Sequence, residues 1–220
     1  MKVALIHTTI NSMNPIINTF NKLDPTIELM NFLDEGLMYE LKNNDKIEFY
    51  MLKRLISMAE NAEKSGADGI LLACSAFSPY VDNIKSFVSI PILSADMAML
   101  EQVVNIGGKI GVLTTIEAAR YTTLKLIKEI ADKNKADVIV EGQIVDKAFD
   151  ELKNGNKNEH DRLIQLKIKE FSSEYDVIVL AQMSMTSALE NFELCNKSVF
   201  SSPEISARKI LEEIKEGKTK

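Results

Sequence analysis

The chain has 220 residues, of which 45% are hydrophobic, and its 26 basic and 32 acidic side chains give a net charge of −6. This is the composition of a globular protein with one large domain or two small ones. The acidic balance argues against a nucleic-acid surface, which needs a basic stripe. No run of residues reaches the roughly 18 apolar residues of a membrane span. Because two cysteines are too few for a disulfide framework and no export signal is present, we expect a cytoplasmic protein.

Short apolar runs alternate along the chain with longer amphipathic stretches, which is typical of βα units and a parallel sheet. Apolar residues at steps of three and four predict helices, and Gly66 and the pair Gly107–Gly108 predict two helix ends. In chain order, the sequence predicts strands at 2–6 and 26–30, a helix at 46–65, strands at 69–73 and 90–93, a helix at 95–106, a strand at 109–113, a helix at 117–133, a strand at 137–141, a helix at 158–173, a strand at 176–181, a short helix at 184–193, a strand at 198–200 and a helix at 204–216.

The two halves of the chain carry a similar pattern. In three places, a strand of the first half and the residues that follow it match a segment of the second half at a similar offset. Three matches in the same order indicate an internal repeat. The matched pairs are residues 2–8 with 109–115 (offset 107), residues 68–74 with 176–182 (offset 108), and residues 32–34 with 144–146 (offset 112).

The repeat predicts an α/β fold with two pseudo-symmetric parallel-sheet domains. Residues 1–94 plus 204–220 form the first half, and residues 95–203 form the second. Ligands of open parallel sheets bind beyond the carboxyl ends of the strands. We therefore expect an active-site cleft between the halves, lined by residues that follow strands. The third match pairs two loop acids, Asp34 and Asp146, which either line this cleft or cap helices.

Polar residues follow four of the predicted strands. Each of these polar segments, called strand tips below, leads toward the start of a helix. Free backbone N–H groups and hydroxyls at helix starts bind carboxylate or phosphate, although a simple helix cap explains any single tip. Carboxylate is the better match, because the sequence lacks the glycine motifs of phosphate-binding loops. Tyr121, a little further on, either points its hydroxyl at the cleft or packs on the sheet. The candidate substrate-binding residues are His7, Thr8, Asn11, Ser12, Ser75, Thr114, Thr115, Tyr121, Met183 and Ser184.

Cys74 directly follows the predicted strand at 69–73. N–H dipoles at such a position favour a thiolate, whereas the alternative is a small buried apolar residue. The repeat places Gln182 at the equivalent position, and an amide neither takes nor gives a proton at neutral pH. We interpret Cys195, after the short helix, as structural. His160, at a polar helix start, is predicted to be solvent-exposed.

His7 ends the first predicted strand, either as an acid or carboxylate-orienting group or as a satisfied buried imidazole. The chain has two histidines and no CxxC motif, so we expect no metal site.

Three segments around Cys74 carry a family resemblance: residues 70–75 (ILLACS), 90–93 (IPIL) and 108–115 (GKIGVLTT). With Arg120 and Tyr121 behind them, their order and spacing resemble the aspartate/glutamate/hydantoin racemase superfamily. The resemblance implies two pseudo-symmetric α/β domains, a small carboxylate or amino-acid substrate and a homodimer. It also implies that no metal or pyridoxal cofactor takes part.

In racemases of that family, one cysteine follows a strand in each half. One removes the proton α to a carboxylate, and the other returns it on the opposite face. Cys74 matches the first catalytic position and Gln182 stands at the second, a departure that argues against symmetrical exchange between two thiols. The single-cysteine arylmalonate decarboxylases and the maleate isomerases, which use the first-half cysteine as a nucleophile, are similar in this respect.

We therefore predict a cofactor-independent isomerase of the amino-acid racemase type. It would use Cys74 for proton transfer or thiol addition at a small carboxylate. The alternatives are a lyase or decarboxylase of a substituted malonate-type acid and a non-catalytic small-acid-binding protein.

Overall fold

The computed structural model describes residues 1–43, 46–190, 192 and 198–217. The chain divides into two compact units, one formed by Met1–Met97 with Pro203–Lys220 and the other by Ala98–Ser202. Each unit contains a four-stranded sheet. The strands of the first unit are β1 (Lys2–His7), β2 (Glu28–Leu33), β3 (Gly69–Leu72) and β4 (Ile92–Ser94), and those of the second are β5 (Gly108–Thr114), β6 (Val138–Ile144), β7 (Val177–Leu180) and β8 (Ser198–Ser201).

Both sheets are parallel and have the same strand order. The order is β2-β1-β3-β4 in the first sheet and β6-β5-β7-β8 in the second. Equivalent hydrogen bonds also occur in the two units. The Lys2 N–H donates to the Asp68 carboxylate at 2.7 Å in the first, and the Lys109 N–H donates to the Asp176 carboxylate at 2.9 Å in the second. The predicted α/β class, with two parallel-sheet domains related by an internal repeat, is therefore confirmed.

The third repeat match is wrong by one residue. The Asp34 N–H donates to the His7 carbonyl at 3.0 Å, and the Val145 N–H donates to the Thr114 carbonyl at 2.7 Å. Because His7 and Thr114 are equivalent, Asp34 is equivalent to Val145, at an offset of 111, and not to Asp146. A short apolar segment carries little information on register, since a slip by one residue is invisible until the neighbouring strand is known.

Asp34 caps a helix, which is the second of its two predicted roles. Its carboxylate forms a bidentate ion pair with Arg54, at 2.5 Å to Nη2 and 2.8 Å to Nε, and it also accepts the Gly36 N–H at 3.1 Å. Gly36 is the first residue of the helix that follows β2.

Helices lie between the strands in both units, and none of the described helices is long and apolar enough to cross a membrane. Gly66, at φ +81°, and Gly107, at φ +76°, end two helices where the sequence predicts. The short helix predicted at 184–193 is instead a 3-10 helix, Met183–Leu189. The helices are α1 (Met13–Leu23), α2 (Gly36–Asn43), α3 (Phe49–Lys64), α4 (Val81–Lys85), α5 (Met97–Ile106), α6 (Glu117–Asn134), α7 (Ala148–Lys153), α8 (Lys157–Phe171) and α9 (Ser202–Gly217).

A side chain at position 111, in β5, has no room. A Cβ there would lie 2.6 Å from Cδ1 of Phe171 and 2.7 Å from Cγ of Tyr175, two rings that stack with centroids 4.5 Å apart. We expect Gly111→Ala to lower the free energy of unfolding by about 1–3 kcal/mol, because overpacking displaces both rings. Urea unfolding measures the loss. Gly217→Ala, with nothing within 4 Å of its added Cβ, is the control and should cause no loss. Equal midpoints for the two variants would contradict this packing.

Candidate active site

Cys74 lies at the carboxyl end of β3, where a 3-10 helix, Ser75–Tyr80, begins. All four residues of β3 are buried, whereas Cys74 is half-buried as the chain leaves the sheet. The strands β1 and β3 are neighbours, so the residues that follow them meet. The hydroxyl of Thr8, which follows β1, donates a hydrogen bond to the Cys74 sulfur at 2.9 Å. These two strand tips therefore form one polar site.

Burial raises the pKa of the Cys74 thiol. The hydrogen bonds from the Thr8 hydroxyl and from the N–H groups of Ala76 and Phe77 act in the opposite direction, and a charge on Asp96 adds to the increase. The sequence correctly predicts donors around the sulfur, but the prediction of a favoured thiolate is wrong. The loss of hydration of the charged form outweighs the donors. At neutral pH, Cys74 is a thiol and has a proton to give.

Asp96 is a buried carboxyl that the sequence analysis missed. Its exposure is 2%, and it lies two residues after β4. The hydroxyl of Ser78 donates to Oδ1, whereas Oδ2 has no hydrogen-bond partner. Burial raises the pKa of Asp96, and the Ser78 hydrogen bond offsets only part of this effect. The available signal was an acid three residues after the predicted strand at 90–93, at the end of a strand where a carboxyl group lies close to the neighbouring strand ends.

His7, at the end of β1, is fully buried and both of its ring nitrogens have partners. Nε2 lies 3.1 Å from Oδ1 of Asn31, and Nδ1 lies 2.8 Å from Oγ of Ser12. Burial lowers the pKa of His7, so the ring is neutral at pH 7. The Ser12 hydroxyl also contacts the Thr9 carbonyl oxygen at 2.9 Å, so it links the His7 ring to the turn that follows β1. This arrangement matches the buried imidazole of the two interpretations. Asn11 and Ser75 keep partial exposure.

Gln182 lies two residues after β7, in the second unit. The backbone N–H and the hydroxyl of Thr115 both donate to its Oε1, at 2.5 and 3.0 Å. Because a backbone N–H only donates, these contacts fix the amide orientation and direct the Nε2 donors elsewhere. The pair Thr115–Gln182 is the repeat equivalent of the pair Thr8–Cys74. Gln182 therefore occupies the position that a second thiol would take in its own unit.

The other predicted site residues of the second unit have different environments. Thr114 is fully buried and its hydroxyl has no partner, and Met183 is 6% exposed. Tyr121 on α6 is 68% exposed, so it does not pack on the sheet. Ser184 is half-buried, and its carbonyl oxygen lies 3.3 Å from Nε2 of His160.

His160 is buried, and the prediction that it is solvent-exposed is wrong. It lies on the inner face of α8, one turn before the buried Ile164. Its Nδ1 lies 2.8 Å from the Ala148 carbonyl oxygen, and its Nε2 faces the Ser184 carbonyl oxygen. The polar residues around His160 in the sequence belong to the outer face of the same helix turn. His160 thus connects α7 and α8 to the 3-10 helix that follows Gln182.

We expect His160→Ala to lower the free energy of unfolding by about 2–4 kcal/mol. The variant removes a buried ring and the hydrogen bond that its N–H donates to one of the two facing carbonyl oxygens, those of Ala148 and Ser184. Urea unfolding is the measurement. Arg162→Ala is the matched control on the same helix, because Arg162 is exposed and pairs only with Glu159 three residues away. Its loss should stay near 0.5 kcal/mol or less. Similar losses in the two variants would show that His160 does not connect these elements.

A surface cleft of about 550 Å³ lies in the second unit, between α6, α8 and the end of β6. Its basic side chains are already paired, Arg120 with Glu117 and Lys167 with Glu170. Asp146 lines this cleft, but the candidate residues that follow β5 and β7 do not. We therefore leave the cleft out of the candidate site.

Within the described ranges, no three or more His, Cys, Asp or Glu side chains lie together in a group that could hold a metal ion. Cys195, predicted to be structural, lies outside the described residues.

The family model described as Asp/Glu/Hydantoin racemase matches residues 41–210, more than three quarters of the chain. The matched segment includes Cys74, Asp96, Thr115 and Gln182. The chain therefore belongs to the Asp/Glu/hydantoin racemase family, and it is a racemase-type isomerase for small carboxylate or amino-acid substrates.

Solved racemase structures have the same fold. An aspartate racemase from Picrophilus torridus has a TM-score of 0.76 at 15% identity, covering 97% of this chain and 94% of that one. An aspartate racemase homologue from Pyrococcus horikoshii has a TM-score of 0.72 at 21% identity, covering 97% and 99%. A glutamate racemase from Francisella tularensis in complex with D-glutamate has a TM-score of 0.72 at 14% identity, covering 99% and 82%. No curated protein sequence matches the chain significantly.

Proposed function

We propose that this protein is a cofactor-independent isomerase in which Cys74 transfers the proton α to the carboxylate of a small substrate. The observation that carries the proposal is the position of Cys74, a half-buried residue at the carboxyl end of β3 whose sulfur lies 2.9 Å from the Thr8 hydroxyl. Family membership supplies the class of reaction, and this sulfur is a group in the first unit that can carry a proton to and from carbon.

The reaction requires stabilisation of the enediolate that forms when an α proton leaves. Fixed N–H and O–H donors supply this stabilisation, and each is worth about 3 kcal/mol in a site that excludes water. In the first unit, we assign this role to the side chains of Asn11 and Ser75, because the Thr8 hydroxyl already donates its one proton to the Cys74 sulfur. We assign His7 to a supporting role, because both of its nitrogens are engaged and a neutral imidazole keeps charge out of the site.

The protonation state of Cys74 bears on the direction of proton transfer. Because burial raises the pKa of the thiol, the resting enzyme holds the proton on sulfur and is prepared to deliver it to a carbanion. Removal of a substrate proton requires that the thiol ionises first. The thiol gives this proton to water before the substrate closes the site, and the hydrogen bonds from the Thr8 hydroxyl and from the N–H groups of Ala76 and Phe77 stabilise the thiolate that results.

A decarboxylase of a substituted malonate-type acid is the second candidate, and two observations favour it. The pKa of Cys74 is raised, and Gln182 offers no second thiol. In this reaction the bond from the α carbon to one carboxylate breaks and carbon dioxide leaves. The electron pair stays as an enediolate on the remaining carboxylate. The Cys74 thiol then protonates the α carbon, and water returns a proton to the sulfur.

One experiment separates these functions. The enzyme is incubated in deuterium oxide with aspartate, glutamate, a hydantoin, maleate and a substituted malonate, and each product is analysed by mass and by chirality. Deuterium at the α carbon of recovered aspartate, glutamate or hydantoin, or cis–trans conversion of maleate, supports the isomerase. Release of carbon dioxide from the malonate supports the decarboxylase instead. If no compound reacts but one of them raises the melting temperature, the protein is a non-catalytic acid-binding protein and the proposal is wrong.

The proposal also includes a homodimer in the cytoplasm and a reaction without metal or pyridoxal cofactor. Light scattering measures the oligomeric state. Activity that persists after dialysis against a chelator and after borohydride treatment would agree with the absence of a cofactor. Activity lost on either treatment would contradict it.

A further inference from the structure

Asp96 and Ser78 form a buried hydrogen-bonded chain that ends at the backbone of Cys74. The Ser78 hydroxyl contacts Oδ1 of Asp96, and its oxygen lies 3.4 Å from the Cys74 carbonyl oxygen. Asp96 is 2% exposed and Ser78 is 4% exposed. The second carboxyl oxygen of Asp96 is buried and has no hydrogen-bond partner.

An ionised Asp96 does not fit these contacts. Ser78 has one hydroxyl proton, so if it donates to the carboxylate it cannot also donate to the Cys74 carbonyl oxygen. Oδ2 would then be a buried charged atom with no donor, and Asp96 forms no ion pair with any part of the chain that the structure describes. A buried carboxylate without a partner is so costly that it takes up a proton instead.

A neutral carboxylic acid fits every contact. Its O–H, on Oδ1, donates to the Ser78 oxygen, and the Ser78 O–H donates in turn to the Cys74 carbonyl oxygen. Oδ2 is then an uncharged carbonyl oxygen, which is far less costly to bury. Burial raises the pKa of Asp96, which agrees with this state. Hydrogen bonds from the Ser78 hydroxyl, the Asp96 backbone N–H and the hydroxyls of Ser94 and Ser75 act in the opposite direction and offset only part of the effect of burial. The titratable neighbour of Asp96 is Cys74.

We propose that Asp96 is held as a neutral carboxylic acid and is a positioning residue for Cys74, which it orients through Ser78. Its proton also keeps a negative charge away from the sulfur. A charge on Asp96 would raise the pKa of the Cys74 thiol further and make the thiolate harder to form. This role rests on the proposed function of Cys74, but its test does not depend on turnover.

The test follows from the proton that folding retains on Asp96. The ordinary pKa of this group is 3.8, so the unfolded chain releases the proton as the pH rises past about 4, whereas the folded chain keeps it. The folded state then binds more protons than the unfolded state, and stability falls as the pH rises between the ordinary and the raised pKa. Asp96→Asn has a similar shape and no charge, so it lacks this loss. The difference between the melting temperatures of Asp96→Asn and the parent should therefore shift in favour of the variant as the pH rises from 4 to 8.

Two further measurements complete the test. The infrared spectrum of the parent at pH 7 should contain the carbonyl band of a protonated carboxyl group, which needs no variant and therefore survives a failure of Asp96→Asn to fold. The pH profile of Cys74 alkylation should be the same in Asp96→Asn as in the parent, because both side chains are neutral. Asp82→Asn, at an exposed position on α4, is the control and should move none of these readouts.

The opposite results would overturn the proposal. If Asp96 is ionised, the protonated-carboxyl band is absent at pH 7, and Asp96→Asn removes a negative charge beside the sulfur. The alkylation profile of the variant then moves to lower pH by about one unit, and its melting temperature falls behind that of the parent as the pH rises. A failure of the parent to turn over any substrate would refute the proposed function and leave these three readouts interpretable.

Discussion

Cys74→Ala is expected to lower the rate of deuterium incorporation at the substrate α carbon by at least about a hundredfold, because a positioned proton-transfer group contributes roughly 10² to 10⁴. The fold should survive, since Cys74 is half-buried and an alanine removes only the sulfur. Mass spectrometry of the substrate after incubation in deuterium oxide measures the rate. Equal rates in the parent and the variant would remove Cys74 from the mechanism.

Two companion variants separate the chemistry of the sulfur from its packing. Cys74→Ser keeps a small polar side chain but offers a much weaker acid, so we expect it to be as slow as Cys74→Ala. Thr8→Val keeps the shape of a buried side chain and removes the hydroxyl that donates to the sulfur at 2.9 Å. Because that hydrogen bond stabilises the thiolate, its loss should shift the alkylation profile of Cys74 to higher pH. A shift to lower pH would contradict this assignment.

Gln182→Cys is expected to convert one-sided exchange into inversion, with a gain of roughly a hundredfold or more in the rate at which the opposite enantiomer forms. An amide neither gives up nor takes a proton at neutral pH, whereas a thiol exchanges its proton. The Thr115 hydroxyl and N–H, which now donate to Gln182, would serve the new sulfur as Thr8 serves Cys74. Chiral chromatography of the product provides the measurement.

Gln182→Ser is the matched control for that gain. A serine fits beside Thr115 and accepts the same hydrogen bonds, but an unactivated hydroxyl is a poor proton carrier. We expect no inversion from it. If Gln182→Cys also gives only the original enantiomer, although its new thiol is alkylated, then the second catalytic position assigned by the resemblance is wrong.

The positions of Cys74 and Gln182 were predictable because strand ends leave clear marks in a sequence. A buried strand is a continuous apolar run, and the residue at which the run stops lies at the edge of the sheet. The repeat then gave each tip a counterpart, and the hydrogen bonds to Thr8 and Thr115 agree with that pairing. The neighbours of these residues were predictable for the same reason, since β1 and β3 lie side by side.

Asp96 and His160 were harder to predict, because the burial of a single polar residue depends on partners that are distant in the sequence. Ser78 lies 18 residues before Asp96, and Ser184 lies 24 residues after His160. Local periodicity carries no record of the contact between Ser78 and Asp96, whereas the four-residue spacing of His160 from Ile164 was a signal that His160 lies on the buried face of α8. The helix α1 was missed for a different reason: it contains Pro15 and three asparagines, and only Ile16 and Phe20 of its residues are buried. A pattern this short and this polar is also typical of a loop.

The equivalence of the Thr8–Cys74 and Thr115–Gln182 contacts has a consequence for how relatives are interpreted. An amide oxygen satisfies the same donors as a sulfur does, so a chain can exchange one for the other at this position while the surrounding loop stays intact. Similarity of the fold therefore does not show whether a protein of this family turns over a substrate. Two chains with superimposable backbones can differ in whether the second proton transfer takes place. The residue that decides this is the side chain at the end of one strand.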